Sequence, residues 1–272
     1  MSNFKIASWN VNSVRLRAPQ IIDFLINSRP DVLCIQEIKC RNGEFPAEVF
    51  AKAGYAHQMV RGQKGMHGVA IVSRHPLGEL ADPSFCEHDH ARVALATIKG
   101  IDICNVYVPA GGDEPDAKTN PKFAHKLNFL TRMEKCFAAR QKENPKDRLI
   151  LTGDLNIAPL ESDVWSHKQL LKVVSHTPIE VAALNAIQKA GNFADIAREL
   201  IPEPEPVFTW WSYRSKDWTK NNRGRRLDHI WVSPALRDAA LHHGVSGFEA
   251  LTACRSWERP SDHIPITQML RL

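Results

Sequence analysis

Several features that mark large classes of protein are missing from this sequence. The first ten residues, MSNFKIASWN, lack the charged and then apolar pattern of a signal peptide, and no apolar run approaches the length of a membrane span. The six cysteines are scattered and include no C-x-x-C pair. We therefore expect reduced cysteines that serve as small core residues, a cytoplasmic location, and no membrane partner.

Motifs for several other chemistries are also absent. There is no P-loop, no G-x-S-x-G elbow and no catalytic cysteine pattern, which disfavours nucleotide triphosphatases and acyl transferases. No repeat of fixed period and no flexible linker interrupts the 272 residues. The composition, 43% hydrophobic and 24% charged, is ordinary for a globular protein. We predict a single domain over residues 1–272.

The positive charge is concentrated in one segment. The net charge is +5, and the segment Arg214–Arg226 holds six basic residues and a single acid, Asp217, so it accounts for the whole excess. A neutral body with one basic loop indicates a polyanionic partner that touches a defined place. A solvated surface loop is the alternative on charge alone.

Short β-rich runs recur along the chain and alternate irregularly with helical periodicity. Strands are predicted at Phe4–Trp9, Asp31–Gln36, Gly68–Ser73, Arg92–Ile98, Ile101–Val108, Arg148–Leu155, Leu227–Val232 and Ile264–Leu270. Helices are predicted at Arg17–Asn27, Phe123–Arg140 and Pro178–Ala190, with Pro19 and Pro178 where a helix can begin. Without strict βαβ alternation, this order favours a layered α/β sandwich.

Polar residues stand at the ends of many of these predicted strands. They are Asn10 and Asn12, Gln36 and Glu37, Tyr107, Asp154 and Asn156, Asp228, and Asp262 and His263. Any one of them could simply cap a turn. Six strand ends carrying acids, amides, Tyr and His are hard to explain as turns, and we predict that they meet at one rim of the sandwich.

These residue types suit the hydrolysis of a phosphodiester. Carboxylate and amide oxygens without clustered His or Cys favour Mg²⁺ or Mn²⁺ over zinc. The transition state needs metal, His or amide donors for its charge, and a base to align water. An Asp–His pair orients the imidazole and raises its pKa, so the ring can be cationic beside a phosphate.

An ordered set of short motifs resembles the exonuclease III family of abasic-site endonucleases. The motifs are Trp9-Asn10-Val11-Asn12-Ser13-Val14-Arg15, Gln36-Glu37-Ile38-Lys39-Cys40, Gly62-Gln63-Lys64-Gly65, Tyr107-Val108-Pro109, Gly153-Asp154-Leu155-Asn156, Phe208-Thr209-Trp210-Trp211, Arg226-Leu227-Asp228 and Ser261-Asp262-His263. Secreted DNases, sphingomyelinases and inositol phosphatases share the Glu, Asp-x-Asn and Ser-Asp-His elements. The Gln-Glu-x-Lys run and the Trp loop point to the DNA-repair branch.

The resemblance implies a four-layer α/β sandwich of two packed mixed β-sheets flanked by helices, and it implies roles at the rim. Glu37 would be the main ligand of Mg²⁺, or of Mn²⁺, with the other metal-site candidates being Asn10, Asp262, Asp154 and Asn156. Asp154 would orient or deprotonate the attacking water, or serve the leaving group. Asn156 would hold a phosphate oxygen, and Tyr107 would sit against the phosphate or the leaving oxygen. His263, braced by Asp228, would bind the scissile phosphate.

The predicted DNA contacts are Asn12, Arg92, Trp210, Lys216, Lys220, Arg223, Arg225 and Leu227. Trp210 and Leu227 would wall an apolar pocket for a flipped, base-less deoxyribose, which is cheap to extrude. The basic run would grip the flanking phosphates. Because Trp210 and Trp211 are adjacent, one of them should face the core.

Two positions depart from the family pattern. Ala110 follows the Tyr-x-Pro motif where relatives commonly carry an Asn or Gln that touches a DNA phosphate, so that donor is missing or comes from backbone N–H groups near Gly111 and Gly112. Arg225 stands where relatives often carry an apolar or aromatic wall of the sugar pocket. Both positions bear on the preference for an abasic site over an ordinary 3′ end.

The expected function is a monomeric base-excision-repair nuclease that cleaves duplex DNA 5′ to abasic sites and removes nucleotides or blocking groups from 3′ ends. A phosphatase or phosphodiesterase of the same fold, acting on inositol phosphates or lipids, should show an apolar membrane-facing loop or a secretion signal, and neither is visible. A binding protein that has lost catalysis should lack Glu37, Asp154 or His263, and all three are present.

Overall fold

The computed structural model of the protein describes residues 2–214 and 217–272. In chain order the strands of this part are β1 (Asn3–Asn10), β2 (Val32–Gln36), β3 (His57–Arg61), β4 (Val69–Ser73), β5 (Gly78–Glu79), β6 (Val93–Ile98), β7 (Ile101–Tyr107), β8 (Leu149–Asp154), β9 (Ala194–Asp195), β10 (Trp210–Trp211), β11 (Gly224–Arg225), β12 (Asp228–Val232), β13 (Phe248–Ala250) and β14 (Ile266–Arg271). The α-helices are α1 (Val14–Ser28), α2 (Ala47–Lys52), α3 (Pro121–Glu143), α4 (His167–Leu170), α5 (Pro178–Ala190), α6 (Ile196–Leu200), α7 (Trp218–Asn221) and α8 (Pro234–Leu241).

Most of the strands form two six-stranded sheets. One has the order β13-β14-β1-β2-β4-β3 and the other the order β5-β6-β7-β8-β12-β9, while β10 and β11 form a small ribbon. Each large sheet contains a parallel pair, β1 with β2 and β7 with β8, and its other pairings are antiparallel. Both sheets are therefore mixed, as the sequence predicted.

The alternation of side chains along β1 shows how the layers are built. Phe4 and Ile6 belong to a central cluster that also contains Ile103 and Ile230 of the other sheet, so this cluster lies between the two sheets. Their neighbours on the opposite face belong to a second cluster, with α1 and α2. A third cluster joins the far face of the β7–β8 sheet to α3 and α5. The predicted four-layer α/β sandwich is confirmed.

Each predicted strand and helix is present, with ends shifted by a few residues. The interpretation of Pro19 as a helix start is wrong, because α1 begins at Val14 and contains Pro19. The start of α1 is set by tertiary contacts: Ser13 N–H donates to Glu37 O at 2.8 Å and Val14 N–H to Ile38 O at 3.1 Å. These bonds tie the entry of α1 to the end of β2. Among the helices of the described ranges, none is long and apolar enough to cross a lipid bilayer.

Candidate active site

The polar strand ends do meet at one rim of the sandwich. The parallel strands β1 and β2 end there together, with Asn10 opposite Gln36, and β7 and β8 end there with Tyr107 opposite Asp154. The antiparallel strand β12 begins at the same place, with Asp228 opposite Asp154. Because β12 runs antiparallel to β8, the acid at the start of β12 meets the acid at the end of β8.

Glu37 lies at the centre of this rim. Its Oε1 accepts a hydrogen bond from Tyr107 Oη at 2.6 Å, and its Oε2 lies 2.8 Å from Lys39 Nζ. Burial alone would raise the pKa of Glu37, but the charge and hydrogen bond of Lys39, together with Tyr107, hold that pKa below its ordinary value. Glu37 and Lys39 both have positive φ, 52° and 51°. A left-handed backbone at two non-glycine residues is strained, and such strain is concentrated at functional sites.

Asp154 is buried at the end of β8 among amide donors. Its Oδ2 accepts from Asn10 Nδ2 at 2.8 Å and from Asn156 Nδ2 at 3.1 Å, and its Oδ1 accepts from the Asn156 backbone N–H at 2.9 Å. Burial raises the pKa of Asp154 above its ordinary value; the charge of His263 opposes this, and that of Asp228 adds to it. Asn10 also donates to Glu37 Oε1 at 3.2 Å, so one amide joins the two carboxylates.

His263 is held between two aspartates. Its Nδ1 donates to Asp228 Oδ2 at 2.8 Å, and its Nε2 lies 3.7 Å from Asp154 Oδ2. Thr209 Oγ1 donates to the same Asp228 oxygen at 2.6 Å. Burial favours the neutral imidazole, yet the negative charges of Asp228 and Asp154 raise the pKa of His263 to about 10. The ring is therefore a cation at neutral pH, and its orientation is set by Asp228.

Asp262 is linked to the rim by its neighbours. Its Oδ1 accepts from Asn12 Nδ2 at 3.1 Å, and its Oδ2 accepts from Trp210 Nε1 at 2.9 Å. Asn12 in turn accepts from Lys39 Nζ at 2.5 Å. Asp262 thus joins the acidic group around Glu37 to the aromatic ribbon β10.

These groups face a cavity of about 490 Å³. The predicted site residues that line it are Glu37, Tyr107, Asp154, Asn156, Trp210, Arg223, Arg225, Leu227, Asp262 and His263. Trp210 and Leu227 pack in one apolar cluster with Trp165 and Val173, next to the polar rim. Trp211 is buried, as expected for one member of the tryptophan pair. Ala110 and Gly112 form part of the wall.

Arg225 partly closes the apolar end of this cavity. Its guanidinium lies 5.2 Å from the centre of the Trp210 ring, and its Nη1 donates to Val174 O at 2.9 Å and to Ser175 Oγ at 2.7 Å. Arg223, by contrast, is exposed and stacks over Trp165 at 4.5 Å. The two arginines therefore have different surroundings although they are two residues apart.

The expectation that the whole segment Arg214–Arg226 is a free basic loop is corrected by Arg226. This side chain is buried and bonds Asp163 at 2.7 Å and Asp195 at 2.8 Å. Acids that are distant in sequence neutralise it, which a count within the segment does not reveal. Lys220 is exposed on α7 and lies outside the residues found to line the cavity. Lys216 lies outside the described residues.

Arg92 and Asn12 lie beside the cavity without being among the described residues that line it. Arg92 is buried behind Tyr107: its guanidinium lies 4.8 Å from the centre of that ring, and its Nη1 donates to Tyr107 O at 3.2 Å. In this arrangement Arg92 supports Tyr107, and a phosphate would not reach it without a rearrangement. The sequence alone does not indicate whether an arginine beside a strand contacts a phosphate or supports a neighbouring side chain.

Two supporting residues were missed by sequence reasoning. Lys126 is buried on α3 and donates to Asn156 O at 2.8 Å and Glu180 Oε1 at 2.5 Å, so it fixes the turn after Asp154. A lysine three residues after Phe123 and three before Phe129, on the buried face of α3, was the available signal. Thr209 donates a hydrogen bond to Asp228. Apart from its place in the Trp-loop motif, nothing in the sequence indicated this supporting role.

The donor set fits a hard divalent cation. Glu37, Asp154, Asn156 and Asp262 bring carboxylate and amide oxygens to one cavity. Burial, with the negative charges of Asp228 and Glu37, raises the pKa of Asp154, so a bound cation would favour its ionised form. Asp154, Asp228 and His263 also lie close enough to share an ion. Asp228 is already engaged by Thr209 and His263, so we assign it to bracing the imidazole.

A family pattern described as "Endonuclease/Exonuclease/phosphatase family" matches residues 7–263 of the chain. The chain belongs to this family. Enzymes of the family are metal-dependent, in agreement with the acidic rim. The sequence is 30% identical over 275 residues to an exodeoxyribonuclease III from Haemophilus influenzae, covering 96% of this chain and 98% of that one.

Solved structures agree with this assignment. An AP endonuclease from Archaeoglobus fulgidus matches with a TM-score of 0.90 and 32% identity, over 99% of this chain and all of that one. A 3′ phosphatase, NExo, from Neisseria, solved bound to a product DNA hairpin, matches with a TM-score of 0.88 and 30% identity, over 99% of this chain and 100% of that one. The resemblance to exonuclease III and the prediction of a hydrolytic nuclease of DNA repair are confirmed.

Proposed function

We propose that this nuclease uses Mg²⁺ to cleave duplex DNA on the 5′ side of abasic sites and to remove nucleotides or blocking groups from 3′ ends. The observation that carries the proposal is a cavity in which an acidic rim, an imidazolium and an apolar wall adjoin. The rim supplies the chemistry of phosphodiester hydrolysis, and the wall formed by Trp210 and Leu227 offers room for a sugar without a base.

In this proposal Glu37 is the principal metal ligand, with Asp262, Asp154 and Asn156 contributing oxygens to the same region. Asn10 donates to both Glu37 and Asp154 and so holds the two carboxylates at a fixed separation. Mg²⁺, with Mn²⁺ as a substitute, would neutralise charge on the phosphate when bound. Lys39 pairs with Glu37 and lowers its pKa, so the carboxylate is ionised and can bind a metal cation.

The chain's own groups then have distinct tasks. His263 binds a non-bridging phosphate oxygen as a cation, and Asp228 prevents its ring from turning away. Asp154 aligns a water with phosphorus and accepts its proton, because its burial raises its pKa toward the range that suits a general base. Attack breaks the bond between phosphorus and the 3′ oxygen, and this oxygen takes up a proton from solvent to become a 3′ hydroxyl. Tyr107, which donates to Glu37 Oε1, would lie against the phosphate or the leaving oxygen, and Asn156 would hold a phosphate oxygen.

The departure at Arg225 bears on substrate choice. Because Arg225 stacks on Trp210 and is tied to Val174 and Ser175, it narrows the apolar end of the cavity. We infer that the sugar pocket is smaller than it would be with an aliphatic residue in place of Arg225. We infer further that 3′-end processing forms a large share of the activity. The donor replaced by Ala110 would come from backbone N–H groups of the same wall.

The proposal is tested with three duplexes: one with a single abasic analogue, one intact with a recessed 3′ end, and one with a 3′-phosphate. Each is incubated with Mg²⁺ and with EDTA, and the products are resolved by length. Cleavage of all three that depends on Mg²⁺ supports the proposal. Full activity in EDTA, or inertness toward all three substrates, would contradict it.

The remaining parts of the proposal concern organisation. We propose that residues 1–272 form one catalytic domain, supported by the family pattern over residues 7–263. We further propose that the enzyme acts as a monomer on double-stranded DNA, in the cytoplasm and at the nucleoid when engaged. Sedimentation of the free protein and of its complex with a short abasic duplex tests the monomer.

A further inference from the structure

A cluster of histidines and one cysteine lies behind the active site, on the far side of Arg92. Cys86 and His90 belong to the loop between β5 and β6, and His125 belongs to the first turns of α3. Their ligand atoms all lie within 4.8 Å of one another. The sequence spacing Cys86-x-His88-x-His90 hints at the cluster, but His125 is brought in only by the fold.

The geometry within the cluster is close to that of a metal site. Cys86 Sγ lies 3.3 Å from His125 Nε2, near the roughly 3.5 Å that separates sulfur and nitrogen ligands around tetrahedral zinc. The His90 backbone N–H donates to Cys86 Sγ at 3.4 Å, a bond that stabilises a thiolate. The buried His90 Nδ1 has no hydrogen-bond partner among the described residues. A buried ring nitrogen without a partner is costly unless a ligand satisfies it.

A further imidazole, that of His88, lies beside the cluster at the surface. The ring of His88 lies 4.4 Å from that of His125 and 5.5 Å from that of His90, and its side chain is half exposed. The ring of His67 stacks on that of His90 with centroids 4.6 Å apart and 25° between the planes. Cys86 and His90 also border a cavity of about 340 Å³, which gives an ion a path to the cluster.

We propose that Cys86, His90 and His125, with His88 as the fourth ligand, bind a zinc ion at a site separate from the magnesium rim. One soft thiolate and several imidazoles select a borderline metal such as Zn²⁺ over Mg²⁺. Binding releases the thiol proton of Cys86 to solvent and leaves the imidazoles neutral. The ion would fasten the β5–β6 loop to α3.

The position of the site suggests what the zinc would stabilise. Arg92 is two residues after His90 and supports Tyr107, which bonds the Glu37 carboxylate. A loop held rigidly at His90 would hold Arg92 behind Tyr107. Cys86 is a free thiol in the structure, so it remains available as a ligand.

The experiment is a titration of the metal-free full chain with Co²⁺, a spectroscopic substitute for zinc, followed by competition with Zn²⁺. We expect one equivalent to produce a thiolate-to-cobalt charge-transfer band that Zn²⁺ bleaches. Cys86→Ser should abolish the band, and His125→Gln should weaken Zn²⁺ binding by about tenfold or more. Zn²⁺ should raise the melting temperature of the native chain more than that of Cys86→Ser.

Two matched variants separate this site from others. Cys136→Ser removes a different half-buried thiol, which belongs to α3, and should leave the band intact. Glu37→Ala disables the magnesium rim and should also leave it intact. If the native chain shows no band, or if the band survives Cys86→Ser, the proposal is overturned, and the Cys86–His125 contact is a thiol–imidazole hydrogen bond alone.

Discussion

Asp228 Oδ2 accepts a hydrogen bond from His263 Nδ1 at 2.8 Å, and this bond joins the beginning of β12 to the segment before β14. The strands β12 and β14 belong to different sheets, so the contact links the two layers. The other Asp228 oxygen, Oδ1, has no partner among the described residues. Both hydrogen bonds to His263 and Thr209 are thus made by Oδ2, and they hold the imidazole as a cation that faces the cavity.

The first prediction concerns the metal rim. Glu37→Ala should lower kcat by about 10²-fold or more, because the charge stabilisation of the metal is lost. The fold should persist, since Glu37 belongs to the rim and not to a hydrophobic cluster. Steady-state cleavage of an abasic duplex and circular dichroism measure the two effects. Glu143→Ala, at the exposed end of α3, is the control and should match the native enzyme.

The second prediction concerns the groups around the scissile phosphate. His263→Ala and Asp154→Asn should each nearly abolish cleavage while duplex binding stays measurable. Because the two side chains lie 3.7 Å apart and act on one phosphate, the double variant should lose far less than the product of the single losses. Single-turnover rates of all four proteins form the cycle. Strictly multiplicative losses would mean that the two groups serve separate steps.

The third prediction concerns the basic residues of the segment Arg214–Arg226. Each phosphate contact releases counterions and contributes a slope of about 0.9 in log affinity against log salt. Replacing Lys216, Lys220 and Arg223 together should flatten that slope by up to roughly three units, with little change in the cleavage rate of a saturated complex. A triple variant of Lys52, Lys99 and Lys142, all exposed and none at the cavity, is the control. An unchanged slope in the first variant would assign the DNA contact to another surface.

The fourth prediction concerns the apolar wall. Trp210→Ala should reduce the preference for an abasic analogue over an intact duplex, because the ring that packs beside Leu227 is removed. The salt slope should not change, since no cation is lost. Competition between the two duplexes measures the preference. Trp218→Ala provides an aromatic control, because Trp218 packs on Trp211 outside the active-site cavity. An equal loss in both variants would argue against a sugar pocket at Trp210.

The fifth prediction concerns stability. The charges of Arg226 and Arg198 overcome the effect of burial and lower the pKa of Asp163 to about 2. Since the unfolded pKa is about 3.9, the ionised form stabilises the fold above that pH, and this contribution is lost as pH falls from about 5 to 2. Asp163→Asn should cost about 3–5 kcal/mol at neutral pH, because Arg226 is left partly unpaired in the interior.

Urea unfolding at pH 7 and at pH 3 checks this prediction. The native protein should lose more stability between the two pH values than Asp163→Asn, which has no carboxylate to protonate at that position. Glu199→Gln, which breaks a surface pair with Arg237, is the control and should cost about 1 kcal/mol or less. Equal costs for the two variants would contradict the role of the buried network.

Much of the fold was predictable because its signals are local. The apolar runs that became β1, β2 and β7 needed no partner to be recognised, and the Thr177–Pro178 start of α5 carries its own cap, with Thr177 Oγ1 accepting from the Glu180 N–H. The short strands, such as β9 and β13, could not be predicted, since two or three residues carry no period. They exist because a neighbouring strand offers unpaired backbone groups at an edge.

The site was predictable in its residue types and only in part in its arrangement. The sequence by itself determined the polar strand ends, the ordered motifs and the single basic segment, because these depend on covalent order and on strand direction. Only the tertiary structure decided that Arg226 is neutralised by Asp163 and Asp195, that Arg92 stands behind Tyr107, and that His125 joins Cys86 and His90. Each of these depends on a partner 15 or more residues away in the sequence. Burial strengthens a charge pair or a ligand set only after the layers have packed and excluded water.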